Sequence, residues 1–380
     1  MMSDPIDDAV ANAQREAFKA VANVTPLRSA VGPRPAGPVC IGVDAFLAGT
    51  DAPVWVIGRL LQTNYVYALT APTNHGKTAV SLVMALCVAA GRTFAGLPVT
   101  EGNVLILCGE NQDGFRLRMM ATMQSLEISL SEIKGKVWVL PQAGSLALLL
   151  DQIKSDATAM EPLAMVLVDT SVAFFSGDNE NDNAQAYEHA RYLRELSMLP
   201  GKPAVVANCH PAAGAGKDMT RDSCVPRGGS AFLSEIDTNL SVWSEGDFAE
   251  LHWMRKKRGP DFAPILFEYR GVNIEQHDTV VASIVAVHID EERQKMIRKK
   301  HKEHESRLLF EMNLNPSGTI RDWGLAAGFT IKTGHFSGQA HVSGVMRILE
   351  RLKKYRLAER SDRDGWILTK AGKEEAQGIR

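Results

Sequence analysis

The sequence predicts an α/β fold with a mostly parallel central sheet, followed by a small helical domain at the C-terminal end. Short apolar runs alternate with helix-like segments between residues 65 and 209, and strands that are buried on both faces of a parallel sheet have this pattern. From Glu291 onward, 19 Lys and Arg face 12 Asp and Glu, about +7, whereas the preceding residues hold 23 against 32, about −9. A basic tail on an acidic body indicates a module that faces nucleic acid, although a solvated helical face has the same composition.

The bulk composition fits one large domain and one small domain. With 380 residues and 45% hydrophobic content, the chain can bury a sizeable core. We expect an N-terminal segment and linker over 1–38, partly disordered, a large domain over 39–285, a charged helical linker over 286–305 and a small domain over 306–380. The five scattered cysteines predict free thiols in a reducing cytoplasm. No apolar run approaches the ~20 residues that cross a bilayer, so we expect a cytoplasmic protein with no membrane partner.

A loop that ends in Gly-Lys-Thr lies between a predicted strand, 65–69, and a predicted helix, 79–86. This order is typical of a phosphate-binding loop, because backbone N–H groups and the positive end of the helix face an anion. Lys77 would reach the β- and γ-phosphate oxygens, and the Thr78 hydroxyl would ligate Mg²⁺. The predicted nucleotide-binding residues are Pro72, Thr73, Asn74, His75, Gly76, Lys77 and Thr78. Ala71 stands at the first loop position, where the usual pattern has glycine.

Two acidic residues follow later buried strands. Glu110 comes after the apolar run 104–108, at the end of a strand where doubly wound sheets bind ligands. A carboxylate there would polarise the water that attacks the γ-phosphate, and the alternative is a helix cap or a surface acid. Asp169 ends the run 163–168 and would hold the nucleotide's Mg²⁺ through water. Any buried strand that ends in Asp has the same local sequence.

His210 follows another apolar run, 204–209. A histidine at this strand end can sense whether the γ-phosphate is present, and the alternative is a structural hydrogen bond. The sequence favours neither. The Gly- and Ala-rich segment 211–226 comes next and predicts a loop that either lines a central pore or is a mobile surface loop.

Three cations lie among the predicted strands that close the large domain. We expect these strands, as antiparallel additions with alternating polarity, over 240–243, 249–254 and 265–268. The second runs into the cationic stretch 256–258. It predicts either a solvated turn or, with Lys256 and Arg258 side by side on one strand face, a contact with the γ-phosphate held by a neighbouring subunit.

The C-terminal residues predict a winged helix-turn-helix domain. Amphipathic helices are expected over 307–312, 319–327 and 340–355, followed by a β-hairpin that turns at 362–365. In such a domain the third helix and the hairpin tip would face phosphates. The cations concerned are Arg347, Arg351, Lys353 and Lys354 on the helix and Arg363 at the tip. Winged helices also bind proteins, so duplex DNA and a protein are both candidate partners.

Taken together, residues 54–269 resemble the RecA-like P-loop NTPase core. They resemble most the RepA-type hexameric replicative helicases of plasmids and phages, with an ATPase domain of the AAA type. The motifs that carry the resemblance are 71–78, 108–110, 168–170, 175–183, 209–210, 227–229 and the pair Lys256 and Arg258.

The resemblance implies a role for each matching residue. It implies ATP and Mg²⁺ as ligands, with Glu110 as base, Asp169 on the metal and His210 as phosphate sensor. The cations that it implies to act across a ring interface are Lys256, Arg258 and Arg227.

The sequence therefore predicts an ATPase, and an ATP-dependent DNA helicase that passes single-stranded DNA through a homo-hexameric ring during plasmid- or phage-type replication. A second interpretation is an ATP-switched DNA-binding regulator or helicase loader that does not unwind DNA. A third is a non-enzymatic scaffold with a degenerate nucleotide site, because Ala71 departs from the usual loop. ATP turnover distinguishes the third from the others, and a discrete duplex footprint distinguishes the second from the first.

Overall fold

The computed structural model describes residues 40, 42–48, 53–160, 162–212, 221–245, 248–276, 279–331, 337–361 and 365–379. The chain divides into two compact units, Met1–Ala52 and Pro53–Arg380. In the first unit the described residues form helix α1 (Val43–Ala48). The predicted N-terminal segment, 1–38, lies outside the described residues.

The second unit begins with an α/β region. Its elements are β1 (Trp55–Ile57), β2 (Leu61–Gln62), β3 (Val66–Thr70), α2 (Lys77–Ala90), β4 (Asn103–Cys108), α3 (Gln112–Ser125), α4 (Leu130–Ile133), β5 (Val137–Leu140), α5 (Leu146–Ala157), β6 (Leu163–Asp169), α6 (Asn183–Leu196), β7 (Ala204–Cys209), α7 (Gly229–Glu235), β8 (Thr238–Glu245), β9 (Phe248–Trp253), β10 (Ile265–Gln276) and β11 (Thr279–His288). Short 3-10 helices occupy Ser171–Phe174 and Arg221–Ser223.

A nine-stranded sheet with the order β11-β10-β9-β8-β3-β7-β6-β4-β5 organises this region. The strands from β8 to β5 are parallel, and β9, β10 and β11 add antiparallel strands at one side. Parallel strands end on the same side, so the last residues of four strands form what we call the carboxyl edge. They are Thr70, Cys108, Asp169 and Cys209. The opposite end is the amino edge. The predicted α/β class with a mostly parallel sheet is confirmed.

Two apolar layers cover the sheet. On one face, α2 packs with Phe115 of α3 against β3, β4 and β8, and residues 79–89 of α2 are all buried. On the other face, Leu150 of α5 and Leu193 of α6 pack against β6 and β7. Because no polar stripe runs along it, α2 is a core helix. Burying side chains such as Leu82 and Met84 stabilises the fold by roughly 1.5–3 kcal/mol each.

Of the expectations about the last strands of the sheet, one is wrong and one is confirmed but incomplete. The strand expected over 240–243 pairs parallel to β3, not antiparallel. The reason is the long connection after β7: it contains α7 and returns the chain to the amino edge, as a crossover between parallel strands must. The strand expected over 265–268 extends to Gln276 and turns back as β11, which the sequence did not predict.

The C-terminal part consists of helices around a small hairpin. Its elements are α8 (Glu291–Leu314), α9 (Ile320–Ala326), α10 (Val342–Lys354), β12 (Ala358–Ser361), β13 (Gly365–Leu368) and α11 (Lys370–Gly378). α10 buries Val345, Ile348, Leu349 and Leu352 at helical spacing. They share a core with Trp323 and Trp366.

Several C-terminal predictions need adjustment. The charged linker and the helix expected over 307–312 form one continuous helix, α8, which crosses the predicted domain boundary at 305 and 306. The final helix α11 was not predicted. Arg363 lies outside the described residues. No helix in the described part of the chain combines the length and apolarity needed to cross a membrane.

Candidate functional site

The loop 71–78 joins the carboxyl end of β3 to the first turn of α2. Its backbone has positive φ at Asn74 (65°) and at Gly76 (84°). Gly76 is the N-cap of α2 and makes no side-chain capping bond. The first N–H groups of a helix have no acceptor within the helix. Together with the positive end of the helix dipole they form an anion-binding geometry, as the sequence predicts.

Ala71 fits the first loop position without backbone strain. Its side chain is fully buried, and its N–H donates to the Cys209 carbonyl at 3.4 Å. Within the fully described loop, positive φ occurs at Asn74 and Gly76 and not at Ala71. Since glycine is favoured where φ is positive and φ at Ala71 is not, the departure from the usual pattern does not distort the loop.

Lys77 is buried at the start of α2. Its Nζ donates to the Ala71 carbonyl at 3.2 Å, so the ammonium group lies back over the loop. Burial lowers the pKa of Lys77, and the negative charge of Asp169 acts in the opposite direction. A buried ammonium that donates to a neutral carbonyl is suited to an anionic ligand, which would compensate its lost hydration.

Asp169 and Thr78 lie together at the carboxyl edge. The Thr78 hydroxyl donates to Asp169 Oδ1 at 3.2 Å, and Asn208 Nδ2 donates to the same oxygen at 2.7 Å. Burial raises the pKa of the Asp169 carboxyl, and these hydrogen bonds act in the opposite direction. Asn208 Oδ1 is buried without a hydrogen-bond partner among the described residues. Water on a magnesium ion would supply both the missing donor and a positive charge, so the residues fit Mg²⁺.

Glu110 follows β4 at the same edge, and its side chain is exposed. The Thr170 hydroxyl donates to Glu110 Oε1 at 2.8 Å. Thr170 directly follows Asp169, the last residue of β6. The end of β6 therefore carries one acid and also binds the other, Glu110. This contact orients one carboxylate oxygen and leaves the other available to accept a proton.

His210 lies directly after β7, half-buried beside Arg227 and Glu180. Burial lowers the pKa of His210, the positive charges of Lys77 and Arg227 lower it further, and Glu110 and Glu180 oppose them. Arg227 Nη1 contacts Glu180 Oε2 at 2.7 Å, and the Arg227 N–H donates to the His210 carbonyl at 3.1 Å. His210 is therefore linked to an ion pair within its own chain. Residues 213–220 of the loop after it lie outside the described residues.

Two site residues come from distant segments and could not be assigned to the site from the sequence. Tyr269 of β10 donates its hydroxyl to the His75 carbonyl at 2.6 Å. A Cβ on Gly76 would lie 1.8 Å from that hydroxyl oxygen, so glycine admits the ring. Arg118 of α3 lines the same space beside the loop. A cavity of about 560 Å³ opens between the loop, Arg118, Tyr269 and residues 282–284 of β11.

Asn208 was also missed, although a sequence signal exists. It is a polar residue inside an otherwise apolar strand, and such a residue needs buried partners. For Tyr269 no local signal exists, because it is 194 residues from His75.

Lys256 and Arg258 lie away from this cluster, at the amino edge. They are in the loop 254–264 after β9, not on a strand face, so that expectation is wrong. Arg258 Nη1 contacts Asp237 Oδ1 at 2.7 Å, and Lys256 Nζ donates to the Ser234 carbonyl at 2.8 Å. β3 has five residues, so about 16 Å of strand separates the two edges. Neither cation reaches the loop of its own chain.

The predicted residues thus divide into two sets. The loop 71–78, Glu110, Asp169 and His210 come together at the carboxyl edge with Arg227 nearby, and the other two cations do not. In the described part of the chain, no group of three or more His, Cys, Asp or Glu could hold a metal ion. A metal here would depend on Thr78, Asp169 and the ligand's own oxygens.

Comparison with known proteins finds a similarity in the part of the chain that contains most of the carboxyl-edge residues. No curated protein matches the chain. A family model described as the AAA domain matches residues 36–214, just under half of the chain. The match includes the loop, Glu110, Asp169 and His210. This part of the chain is therefore similar to the AAA domain, a family of P-loop ATPases.

Proposed function

We propose that this chain is the subunit of a DNA-dependent ATPase that moves on single-stranded DNA as a hexameric ring and unwinds duplexes during plasmid- or phage-type replication. The observation that carries the ATPase is the convergence of Lys77, Asp169 and Glu110 at one edge, from three different strand ends. An anion site, a metal ligand and a base are the parts that phosphoryl transfer to water requires.

Each residue has a distinct task in this proposal. The loop N–H groups and Lys77 hold the phosphates in line for attack. A magnesium ion, when bound, neutralises phosphate charge, and Thr78 with Asp169 would hold it. Glu110 accepts the proton of the attacking water through the carboxylate oxygen that Thr170 does not occupy. His210 contacts the γ-phosphate and transmits its loss to Arg227 and the loop that follows.

The cavity beside the loop suits the base and ribose of the nucleotide. Its volume of about 560 Å³ lies within the range of small-ligand pockets. Arg118 and Tyr269 both line it, and side chains of these types stack on flat rings. The exposed side chain of Ile284 adds an apolar surface.

The neighbouring subunit completes the site in this proposal. Transition-state charge on the γ-phosphate needs a cation beyond Lys77. Arg258 is 59% exposed and lies about 16 Å from its own loop, so its accessible target is a neighbour's nucleotide. Lys256 belongs to the same loop, where its Nζ donates to the Ser234 carbonyl. A closed ring gives every site such a partner, because head-to-tail contacts close when the rotation allows it.

DNA binding is assigned to two parts of the chain. The loop 211–226 follows His210 and would contact single-stranded DNA in the central pore. The helices α8 to α10 with the hairpin β12–β13 form the proposed winged helix, in which α10 carries Arg347, Arg351, Lys353 and Lys354. The basic charge after residue 290 supports phosphate contacts by this part.

A phosphate-release assay with and without single-stranded DNA tests the proposal. We expect turnover that DNA stimulates, loss of nucleotide binding in Lys77→Ala, and retained binding with a ~10²–10⁴-fold slower rate in Glu110→Gln. ATP-dependent unwinding of a forked duplex should disappear in Lys77→Ala. Binding without turnover would favour a scaffold, and turnover that never unwinds a fork would reject the helicase.

A second candidate function is an ATP-switched DNA-binding regulator or helicase loader. The observation in its favour is the separate C-terminal core with Trp323 and Trp366, which could recognise duplex DNA on its own. Footprinting distinguishes the two functions. A discrete double-stranded site supports the regulator, whereas salt-sensitive binding to single strands of any sequence supports the motor.

A further inference from the structure

Asp237 is a buried carboxylate at the amino edge that no step of the proposed hydrolysis uses. It immediately precedes β8, and its side chain is 3% exposed. Its Oδ1 accepts from Arg258 Nη1 at 2.7 Å. Its Oδ2 accepts from Arg194 Nη1 at 2.7 Å and from the Val66 N–H at 2.8 Å. One carboxylate therefore accepts hydrogen bonds from two guanidinium groups and from the backbone N–H of the first residue of β3.

The Oδ2 contacts fix the carboxylate in place. The Asp237 N–H donates back to the Val66 carbonyl at 2.8 Å, so the two residues bond reciprocally. Arg194 is itself held by the Glu235 carbonyl at 2.7 Å. Hydrogen bonds to an ionised group are the strong ones. The oxygen that faces Arg258 is consequently a rigid acceptor.

The backbone around Arg258 is fixed independently of Asp237. The Arg258 N–H donates to Thr238 Oγ1 at 3.1 Å. The Asn239 N–H donates to the Lys256 carbonyl at 2.9 Å, and the Met254 N–H donates to the Asn239 carbonyl at 2.8 Å. These bonds hold the base of the side chain. The direction of the long, mostly exposed guanidinium arm is left to Asp237.

We infer that Asp237 is a positioning residue for Arg258, and that it holds the guanidinium in the direction from which it reaches the nucleotide of the neighbouring subunit. This inference rests on the proposed trans contact. An arginine side chain loses many rotamers when it is immobilised. Because Asp237 already immobilises the side chain, this loss of entropy does not occur during the catalytic step, as for preorganised groups in general.

A purely structural role for Asp237 makes a different prediction. Loss of the carboxylate would then disturb the start of β3 and α6 in every subunit that carries the change. Nucleotide binding by the same subunit would weaken, since β3 leads into the loop 71–78. A positioning role disturbs only the site of the neighbour. The subunit that supplies the loop and the subunit that supplies Arg258 must therefore be tested separately.

Mixed rings separate these two contributions. Lys77→Ala subunits lack a working loop but retain Arg258, and Arg258→Ala subunits have the opposite defect. Neither hydrolyses ATP efficiently alone, and a mixture should recover activity at interfaces where each supplies its intact half. We expect Asp237→Asn in the Lys77→Ala subunit to lower the recovered rate at least tenfold. The same change in the Arg258→Ala subunit should leave the recovered rate and its KM for ATP unchanged.

Asp261→Asn in the Lys77→Ala subunit is the matched control, because Asp261 is an exposed acid of the same loop that pairs with Lys257 at 3.1 Å. It should leave recovery unchanged. Asp237→Glu keeps the charge and should recover more activity than Asp237→Asn. If Asp237→Asn does not fold, Asp237→Glu is compared with Asp261→Glu, and a loss confined to the subunit that supplies Arg258 is again expected.

Three results would overturn the inference. Full recovery with Asp237→Asn in the Lys77→Ala subunit shows that Arg258 needs no positioning. A loss with Asp237→Asn in the Arg258→Ala subunit, which supplies the loop, that equals or exceeds the loss in the Lys77→Ala subunit shows a structural role. Failure of the unmodified Lys77→Ala and Arg258→Ala mixture to recover any activity rejects the trans contact itself, and the inference with it, while leaving hydrolysis by the wild-type chain to be judged by phosphate release.

Discussion

The two edges of the sheet treat their buried charged groups in different ways. At the carboxyl edge, Lys77 and Asp169 are buried, and their hydrogen bonds go to a carbonyl, a hydroxyl and an amide, which are neutral groups. At the amino edge, Arg194 and Arg258 both pair with the buried carboxylate of Asp237. The difference indicates where each set acts. Buried charged groups that have no ion-pair partner among the described residues are prepared for a ligand in their own chain, whereas a paired and exposed arginine is available to a neighbour.

The largest expected effect contrasts one arginine from each edge. Arg258→Ala should lower ATP hydrolysis by ~10³-fold or more, the range of an arginine that stabilises phosphoryl transfer in trans. Each changed subunit disables its neighbour's site and keeps its own loop, so mixtures with Lys77→Ala subunits should recover activity at interfaces where the latter supply Arg258. Arg227 pairs with Glu180 at the carboxyl edge of its own chain, so Arg227→Ala mixed with Lys77→Ala should recover none. Phosphate release by the two mixtures measures both recoveries.

The comparison of edges fails if the two mixtures behave alike. No recovery with Arg258→Ala means that this residue acts within its own chain. Recovery with Arg227→Ala means that the carboxyl edge also supplies a cation to the neighbour, as the family resemblance implies. Nucleotide binding by each isolated variant shows that its loop is intact.

Burial at the carboxyl edge also predicts a pH-dependent stability. His189 of α6 is buried between Phe175 and Phe232, and burial lowers its pKa to about 4, against ~6.5 in an unfolded chain. The unfolded state therefore binds the proton more readily between these values. The stabilising contribution is complete above pH 6.5 and is lost as pH falls to 4, a change of about 3 kcal/mol.

Denaturant unfolding at several pH values tests this contribution. The wild-type free energy of unfolding should fall by about 3 kcal/mol more than that of His189→Gln between pH 6.5 and 4. The difference between variants is the quantity to use, because burial lowers the pKa of His75 and His210 as well. Parallel curves for wild-type and His189→Gln would contradict a neutral buried histidine.

The carboxyl edge could be predicted from sequence because each of its parts is contiguous with a strand. Glu110, Asp169 and His210 all follow apolar runs, and parallel strands bring such positions together without further information. The direction of β8 could not be predicted, because alternation defines faces and not orientation. Asp237 and Tyr269 had no local signal: each is a single polar residue whose partner lies far along the chain. Long-range pairs of this kind are set by topology.

A smaller effect concerns the close contact of Tyr269 with the loop. Gly76→Ala should lower the free energy of unfolding by about 2 kcal/mol, from a left-handed backbone and from displacement of the Tyr269 hydroxyl. Gly135→Ala is the matched control, since Gly135 has a φ of +78° and no atom within 4 Å of an added Cβ. It isolates the backbone cost of roughly 1 kcal/mol.

A double-mutant cycle then tests whether the contact with Tyr269 accounts for the rest of the Gly76→Ala cost. In a Tyr269→Ala background the cost of Gly76→Ala should approach that of Gly135→Ala, as measured by thermal or denaturant unfolding. An undiminished cost would mean that Tyr269 does not limit the loop. The aromatic ring of Tyr269 would then have no part in the difference between the two edges.

The smallest expected effect is that of Ala71→Gly, which restores the usual first residue of the loop. Because φ at Ala71 is not positive and its methyl group is buried, glycine gains nothing there and adds freedom to the unfolded chain. The free energy of unfolding should fall by about 1 kcal/mol, and the affinity for ATP should stay within about twofold. Ala95→Gly is the opposite case, since Ala95 has a φ of 51° and glycine relieves that strain. If Ala71→Gly instead raised ATP affinity tenfold, the alanine would weaken nucleotide binding by the loop. The carboxyl edge would then no longer be the half of the site that is complete within one chain.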